Sequence, residues 1–367
     1  MNKEFLIKDN VLLSYNQPNH ITDVIIPYGV TKINDNAFSD CNNINAITIP
    51  DSVTEICSGA FYNCTGLTSI IIPDSVTKIG HSIFSKCDGL TSIVIPDSVS
   101  VMGGGIFEDC KNLKSVTLPK NITAINVATF ENCINLTEIT IPENVTTIYF
   151  KAFYGCESLE EIIIPDSVVT IDSSVFMKCN KLTSVVLSKN ITRIGDRAFS
   201  YCDSLVSIII PESTTELGDC VFNNCRSLET IILPPSLTVV NDYAFDGCES
   251  LASVTISEGV KKIGGRAFGG CTSLTSIVFP ESIEEIGSCA FYGCTSLTSI
   301  IIPESVKIIE CNAFARCENL TSVIIPASIE RIANNAFVRC RKLTITAPAG
   351  SYAISYAKKC EIRYTEI

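Results

Sequence analysis

The stretch LTSIIIPDSVTKIGHSIFSKCDG, residues 67–89, decides the fold, because it returns almost unchanged as LTSIIIPESVKIIECNAFARCEN at residues 297–319. Fourteen copies of this repeat, the first beginning at Ile21 and the last at Leu320, follow one another without insertion or deletion. A fixed period of this length is typical of a solenoid, in which each repeat buries its apolar face only by stacking against its neighbours. We therefore expect one elongated repeat domain over residues 21–342.

Each position of the 23-residue repeat has its own character, and the first six predict a strand. In the third repeat Leu67, Ile70 and Ile72 occupy positions 1, 4 and 6. Their alternation with exposed residues predicts a strand over positions 3 to 6, with positions 4 and 6 facing inward. Proline at position 7 ends this strand because it has no N–H for the ladder. β-Branched residues around positions 10 to 13 predict a second short strand.

Positions 18 and 21 predict the core. Position 18 is phenylalanine and position 21 is cysteine in all fourteen repeats. A capping residue ahead of an AFxxC run suits a single helical turn with the ring and the thiol on its inner face. We expect the cysteine column to be free thiols that act as small hydrophobic side chains. Among the other cysteines, Cys289 and Cys311 lie on adjacent repeats, and whether they pair stays open.

The two ends of the chain depart from the period and predict caps. Residues 1–20 hold two short apolar runs on either side of Asp9 and Asn10, which predicts a β-hairpin. Residues 343–367 predict a helix over 349–359 and then a closing strand. Caps of this kind cover the core and the strand edges that a repeat array exposes at its ends.

The consensus LxxIxIPxSVxxIxxxAFxxCxx resembles the BspA-like branch of the leucine-rich repeats over residues 21–342. In the third repeat, the residues that carry the resemblance are Leu67, Ile70, Ile72, Pro73, Ser75, Val76, Ile79, Phe84 and Cys87. It implies a right-handed leucine-rich-repeat solenoid with a parallel β-sheet on one face and short strands and single helical turns on the other. The family consists mostly of surface proteins of bacteria that colonise animals, and it implies no catalytic residue and no cofactor.

Composition argues against several classes of function. A net charge of −12 and a pI near 4.8 disfavour nucleic acid and anionic membrane surfaces as partners. No run of about 18 apolar residues is long enough to cross a bilayer. The two histidines, His20 and His81, have no metal-ligand spacing, and no nucleophile with an oriented base or phosphate-binding glycine loop appears. We therefore expect no enzyme, no metal and no cofactor, and the oligomeric state stays undetermined.

Three sets of surface residues are candidates for binding. The outward strand face at position 5 comprises Ile71, Val94, Thr117, Thr140, Ile163, Val186, Ile209 and Ile232. The acidic rim at position 8 includes Asp74, Asp97, Glu143, Asp166 and Glu212. The apolar patch comprises Val127, Tyr149 and Phe150. Each set has an alternative explanation: β-branched residues suit any sheet surface, acidic turn residues are readily solvated, and the patch packs against neighbouring side chains.

The sequence predicts a non-enzymatic protein-binding solenoid. The family resemblance implies a surface adhesin or interaction protein that recognises host or cell-surface proteins, located at the cell surface or secreted. The first 20 residues do not have the pattern of a signal peptide, and no anchor is evident. An intracellular protein–protein interaction scaffold in the cytoplasm is therefore the alternative.

Overall fold

The computed structural model describes residues 4–18 and 21–367, so His20 lies outside the described residues. Its contacts group the chain into two compact units, Met1–Ser188 and Lys189–Ile367, called here the N-terminal and the C-terminal unit. Both units are parallel β-solenoids built from the same 23-residue coil. Within them, a strand pairs with the equivalent strand of the next coil, as Ile47 does with Ile70.

In the N-terminal unit, a β-hairpin precedes the coils, and each coil contributes one strand to each of two faces. The hairpin strands are β1 (Phe5–Lys8) and β2 (Val11–Tyr15). The first face carries β3 (Asp23–Ile25), β5 (Ala46–Thr48), β7 (Ser69–Ile71), β9 (Ser92–Val94), β11 (Ser115–Thr117), β13 (Glu138–Ile139), β15 (Glu161–Ile163) and β17 (Ser184–Val186). The second face carries β4 (Lys32–Ile33), β6 (Glu55–Ile56), β8 (Lys78–Ile79), β10 (Val101–Met102), β12 (Ala124–Ile125), β14 (Thr147–Ile148) and β16 (Thr170–Ile171).

The C-terminal unit likewise has two faces of strands, and it ends in a helical cap. The second face carries β18 (Arg193–Ile194), β19 (Glu216–Leu217), β21 (Val239–Val240), β23 (Lys262–Ile263), β24 (Glu285–Ile286), β26 (Ile308–Ile309) and β28 (Arg331–Ile332). The first face carries β20 (Thr230–Ile232), β22 (Ser253–Thr255), β25 (Ser299–Ile301), β27 (Ser322–Ile324), β29 (Thr344–Ala347) and β30 (Arg363–Glu366). The helix α1 (Tyr352–Lys359) lies between β29 and β30.

The first face is divided into short sheets. In the N-terminal unit the parallel groups are β3-β5-β7, β9-β11-β13 and β15-β17, and in the C-terminal unit they are β20-β22 and β25-β27-β29-β30. Strands of two or three residues, ended by the proline at position 7, give few ladder hydrogen bonds to each neighbour. The ladder on this face is therefore easily interrupted.

The AFxxC stretch folds as linked tight turns, so the predicted single helical turn is wrong. In the second coil Ala60 N–H donates to Cys57 O at 3.3 Å, whereas Phe61 N–H donates to Ile83 O of the next coil at 3.0 Å. Gly59 and Asn63, at positions 16 and 20, have φ of 64° and 56°. These residues in the left-handed region interrupt the helical series of hydrogen bonds. As a result, every second N–H group of the turn points along the stack and donates to the next coil.

The phenylalanine and cysteine columns form the core, as the sequence predicts. Every position-18 ring is buried, and stacked neighbours such as Phe84 and Phe107 have ring centroids 5.8 Å apart. From coil to coil the thiol donates to the position-18 carbonyl of the preceding coil, at 2.9–3.3 Å, as Cys110 Sγ does to Phe84 O. Burial raises the pKa of Cys110 well above its usual value, so the thiol keeps the proton that it donates.

All nineteen cysteines lie in the described part of the chain and are free. The pairing of Cys289 with Cys311 that the sequence leaves open is therefore absent from the structure. Their backbones are neighbours, since Cys289 N–H donates to Cys311 O at 2.8 Å.

The caps have the predicted elements with shifted bounds. Strands β1 and β2 pair antiparallel around Asp9 and Asn10, both at positive φ, as expected of the hairpin. The helix begins at Tyr352 rather than at residue 349, because Gly350, at φ 76°, still belongs to the preceding turn and Ser351 caps the helix. The predicted closing strand is present as β30, which pairs parallel with β29.

Candidate functional site

The eight position-5 side chains predicted as the outward strand face are all solvent-exposed, and we call them the outward column. Six of them belong to the N-terminal unit, where Ile71 is 76% and Ile163 is 66% exposed. Two belong to the C-terminal unit, where Ile209 is 85% and Ile232 is 67% exposed. Isoleucine and valine at such exposure are available for burial by a partner, at roughly 1.5–3 kcal/mol for each side chain that becomes fully buried.

The exposure of the outward column follows from the strand geometry. In β7, Ile70 and the following Ile72 point inward and are buried, while Ile71 between them points outward. The same register exposes four isoleucine and valine side chains that were not among the eight predicted site residues: Ile25, Val278, Ile301 and Ile324. Their sequence signal is identical, namely an isoleucine or valine at position 5.

The first face of the N-terminal unit opens into a groove where β13 ends one sheet and β15 begins another. The groove has a volume of about 620 Å³ and lies between the coils that contain Thr117, Thr140 and Ile163. The inward-facing Ile139 is only half-buried there, whereas its equivalents in the other coils of this unit are buried. Glutamates line the groove at Glu138, Glu143 and Glu161. The outward column therefore borders a concave surface with an apolar floor and an acidic wall.

The acidic rim lies beside the outward column, with all five predicted carboxylates at least partly exposed: Asp74, Asp97, Glu143 and Asp166 in the N-terminal unit and Glu212 in the C-terminal unit. The backbone N–H of Lys120 donates to Asp97 Oδ1 at 2.9 Å, and its ammonium lies 3.3 Å from Oδ2. These hydrogen bonds lower the pKa of Asp97. The rim therefore stays ionised at neutral pH at this position.

The three side chains predicted as an apolar patch lie in the N-terminal unit, on a different side of the coil from the outward column. Val127, Tyr149 and Phe150 are 40–46% exposed. The Lys151 ammonium lies 5.6 Å from the centroid of the Phe150 ring and 2.7 Å from Glu131 Oε1. The patch is thus partly covered by a neighbouring side chain, as its alternative explanation expects, and it exposes less apolar surface than the outward column.

The structure also bears on metal sites and membrane spans. Within residues 4–18 and 21–367, no group of three or more His, Cys, Asp or Glu side chains could hold a metal ion. Among the same described residues, no helix has both the length and the apolar character needed to span a membrane.

Comparison with known proteins identifies relatives of the repeat. The family model for the BspA type leucine rich repeat region matches in overlapping copies at residues 13–137, 105–229 and 215–344. No protein with a curated description matches the sequence significantly. A leucine-rich repeat protein from Bacteroides ovatus is 32% identical, with 93% of this chain and 97% of that chain covered and a TM-score of 0.78.

Two further solved structures are similar. A leucine rich cell surface protein from Faecalibacterium prausnitzii is 28% identical, with 96% of this chain and 94% of that chain covered and a TM-score of 0.47. A leucine-rich repeat protein from Eubacterium ventriosum is 24% identical, with 83% and 87% covered and a TM-score of 0.51.

Proposed function

Because this chain belongs to the BspA-type leucine-rich repeat family, we propose that it is a non-enzymatic protein-binding solenoid that uses its outward column to recognise a host or cell-surface protein. Members of this family are often surface proteins, and the fold is typical of interaction proteins. Adhesion at the cell surface is the form of protein binding that agrees both with a surface location and with an interaction fold.

The outward column is the observation that carries this proposal. In the N-terminal unit Ile71, Val94, Ile163 and Val186 are each more than half exposed, each at the same position of its coil. A soluble protein exposes single apolar side chains without consequence, but a row of them along one face marks an interaction surface. Threonine at Thr117 and Thr140 interrupts the row and adds hydroxyl groups for hydrogen bonds to a partner.

Charge favours a partner with a basic surface. The acidic rim lies along the outward column, and the chain as a whole has a net charge of −12. Complementary charge accelerates association and loses its effect as salt is added. We therefore expect affinity to fall as the salt concentration rises.

Substitution of the outward column tests the proposal. Ile163→Lys and Ile209→Lys place a charge on the column of each unit without touching a buried side chain. Binding would be measured by interferometry on a panel of purified extracellular-matrix proteins, with Val101→Lys as the matched control, because Val101 is 51% exposed on the second face. Loss of binding in the column variants alone supports the proposal, whereas equal binding by all variants removes the column from the function.

A scaffold inside the cell is the second candidate, because all nineteen cysteines are free. Free thiols are usual in reducing compartments, whereas proteins in oxidising environments tend to form disulfides. Protease treatment of intact source cells, followed by peptide detection, distinguishes the two locations. Peptides released from this chain favour the adhesin, and an intact chain that appears only after lysis favours the scaffold.

A further inference from the structure

The last coil of the C-terminal unit ends in a turn that has no coil after it. In the preceding coil, Phe314 N–H donates to Ala336 O at 2.8 Å and Arg316 N–H to Val338 O at 2.9 Å. The corresponding donors of the last coil are the N–H groups of Phe337 and Arg339. Among residues 4–18 and 21–367, no protein group accepts a hydrogen bond from either of them. By analogy with the preceding coil, the N–H groups of Phe337 and Arg339 face the place where the carbonyl oxygens of one more coil would lie.

A cavity of about 350 Å³ occupies this place, between the last turn and the C-terminal cap. Its lining includes the apolar side chains of Phe337 and Leu343 and three arginines, Arg339, Arg341 and Arg363. Glu361 is the carboxylate in the lining. The cavity therefore combines an apolar floor, two backbone donors and a predominantly positive wall.

Two of the three arginines of this wall, Arg339 and Arg341, have guanidinium groups that are available to a ligand. Within the described part of the chain, the guanidinium groups of Arg339 and Arg341 make no hydrogen bond or ion pair, and both residues are exposed. Arg363 Nη2 donates to Lys342 O at 2.6 Å, which holds its guanidinium at the cavity. By contrast, Arg266 of the same unit is paired with Asp246 at 3.1 Å.

The charge of this end also differs from that of the rest of the chain. Residues 311–367 contain eight Lys and Arg and four Asp and Glu, a net charge of +4, in a protein whose total is −12. This local excess of positive charge favours the approach of an anion to the C-terminal cap.

We propose that this cavity binds a divalent tetrahedral oxyanion, a sulfate or phosphate group. Two of its oxygens accept the N–H groups of Phe337 and Arg339, in place of the carbonyl oxygens of the missing coil, and the guanidinium groups hold the other oxygens. Guanidinium groups and successive backbone N–H groups are the donors that proteins use for such anions. Three arginines and one glutamate give the lining a charge of +2, which matches a dianion better than a carboxylate. This site is separate from the outward column and goes beyond the proposed function.

Amide NMR of the full chain tests the proposal directly. Sodium sulfate, sodium phosphate and sodium acetate would each be titrated into ¹⁵N-labelled protein at constant ionic strength. We expect the amide resonances of Phe337 and Arg339 to shift in a saturable manner with sulfate and phosphate, and more weakly with acetate. Absence of a saturable shift at both amides overturns the proposal, as does an equal response to all three salts.

Matched variants separate the site from general electrostatics. Replacing Arg339 and Arg341 together by glutamine should weaken binding by about tenfold or more, because charge-assisted hydrogen bonds are lost. Replacing Arg226 and Lys261 by glutamine removes the same charge elsewhere in this unit and should leave the affinity unchanged. Equal loss in both double variants would show that net charge alone attracts the anion, and would refute the site.

A sulfated disaccharide added as a further probe distinguishes the sources: tighter binding than inorganic sulfate indicates a glycan-borne group, and equal or weaker binding indicates the free anion.

Discussion

The buried thiol column predicts that this protein loses stability steeply at alkaline pH. Burial raises the pKa of Cys225 to about 12 and that of Cys41 to about 11, and the pKa of Cys248 lies well above its usual value for the same reason. In the unfolded chain each thiol ionises near pH 8.5. Below that pH both states keep the proton and stability is complete. Above it the unfolded state alone loses protons, so stability falls until the pH passes the folded-state pKa.

The expected loss is large because the column repeats. At about pH 10 a thiol such as Cys225 destabilises the folded state by roughly 2 kcal/mol relative to neutral pH. Each further position-21 thiol whose pKa burial raises well above its usual value, such as Cys248 and Cys271, adds to this loss, so the total grows with the number of thiols in the column.

Urea unfolding followed by circular dichroism, in the presence of a reductant, measures this effect between neutral pH and about pH 10. Cys248→Ala serves as the matched control, because it removes one titrating thiol. The number of protons released on unfolding at alkaline pH should therefore fall by one, and the unfolding free energy should depend less steeply on pH. An unchanged urea midpoint at alkaline pH would refute the reasoning. Thiolate absorbance that rises in the folded protein near the pKa of free cysteine would refute it as well.

Three further substitutions test the core and the cap by urea unfolding. Phe107→Ala should destabilise by about 3–5 kcal/mol, because the ring is fully buried between Phe84 and Phe130, and a loss below about 1 kcal/mol would contradict the stacked core. Cys133→Ser should be more stable than Cys133→Ala by about 1 kcal/mol, since the hydroxyl can still donate to the carbonyl of residue 107, and the reverse order would show that the thiol matters only as an apolar group. Ser351→Ala should cost about 1 kcal/mol through loss of the helix N-cap, with no effect if the helix is held by packing alone.

The repeating core was predictable because each coil places the same residue in the same environment. A side chain such as Phe107 can be buried only if its equivalents in the other coils are buried too, so fourteen copies report on a single position. The outward position 5 was predictable for the same reason, and the exposure of Ile209 and Ile232 agrees with it. The period thus predicts for most positions which side chains point inward and which point outward.

Local backbone conformation was harder to predict from composition. The AFxxC stretch has residues that suit a helix, yet residues as different as Gly59, Arg197 and Tyr243 all adopt positive φ at position 16. No side chain at this position signals that conformation. It is imposed by the neighbouring coils, which accept alternate N–H groups of the turn, as His81 O accepts Gly59 N–H at 2.8 Å. Tertiary hydrogen bonds here override a local helical preference.

The groove of the N-terminal unit has a similar origin. Ile139 sits at the inward position 4, and its sequence does not distinguish it from Ile162 in the next coil. Ile162 is nevertheless buried, whereas Ile139 is half-buried, at the place where the ladder on this face is interrupted between β13 and β15. The interruption alone is not the cause, since Ile70 and Ile93 are buried on either side of the break between β7 and β9. A break between two short parallel strands depends on the fit of adjacent coils, which single-residue patterns do not encode.

The turn hydrogen bonds run in one direction along the stack, so the two ends of the repeat array have different unpaired backbone groups. The N–H groups of each turn donate to carbonyl oxygens of the following coil. The turn carbonyls of the first coil therefore have no preceding coil to donate to them, and the turn N–H groups of the last coil have no following coil to accept from them. The N-terminal hairpin supplies the missing donor, since Tyr15 N–H donates to Ala37 O at 2.8 Å, and the Tyr15 ring packs at a tilt against Phe38 with centroids 5.0 Å apart. The C-terminal cap provides the ring of Tyr356, whose centroid lies 6.3 Å from that of Phe337, but within the described part of the chain no carbonyl reaches the N–H groups of this turn at Phe337 and Arg339. An N–H group without a protein acceptor is left to solvent or to a ligand. An oxyanion could accept hydrogen bonds from both groups, and the arginines around the cavity are the residues that would attract one.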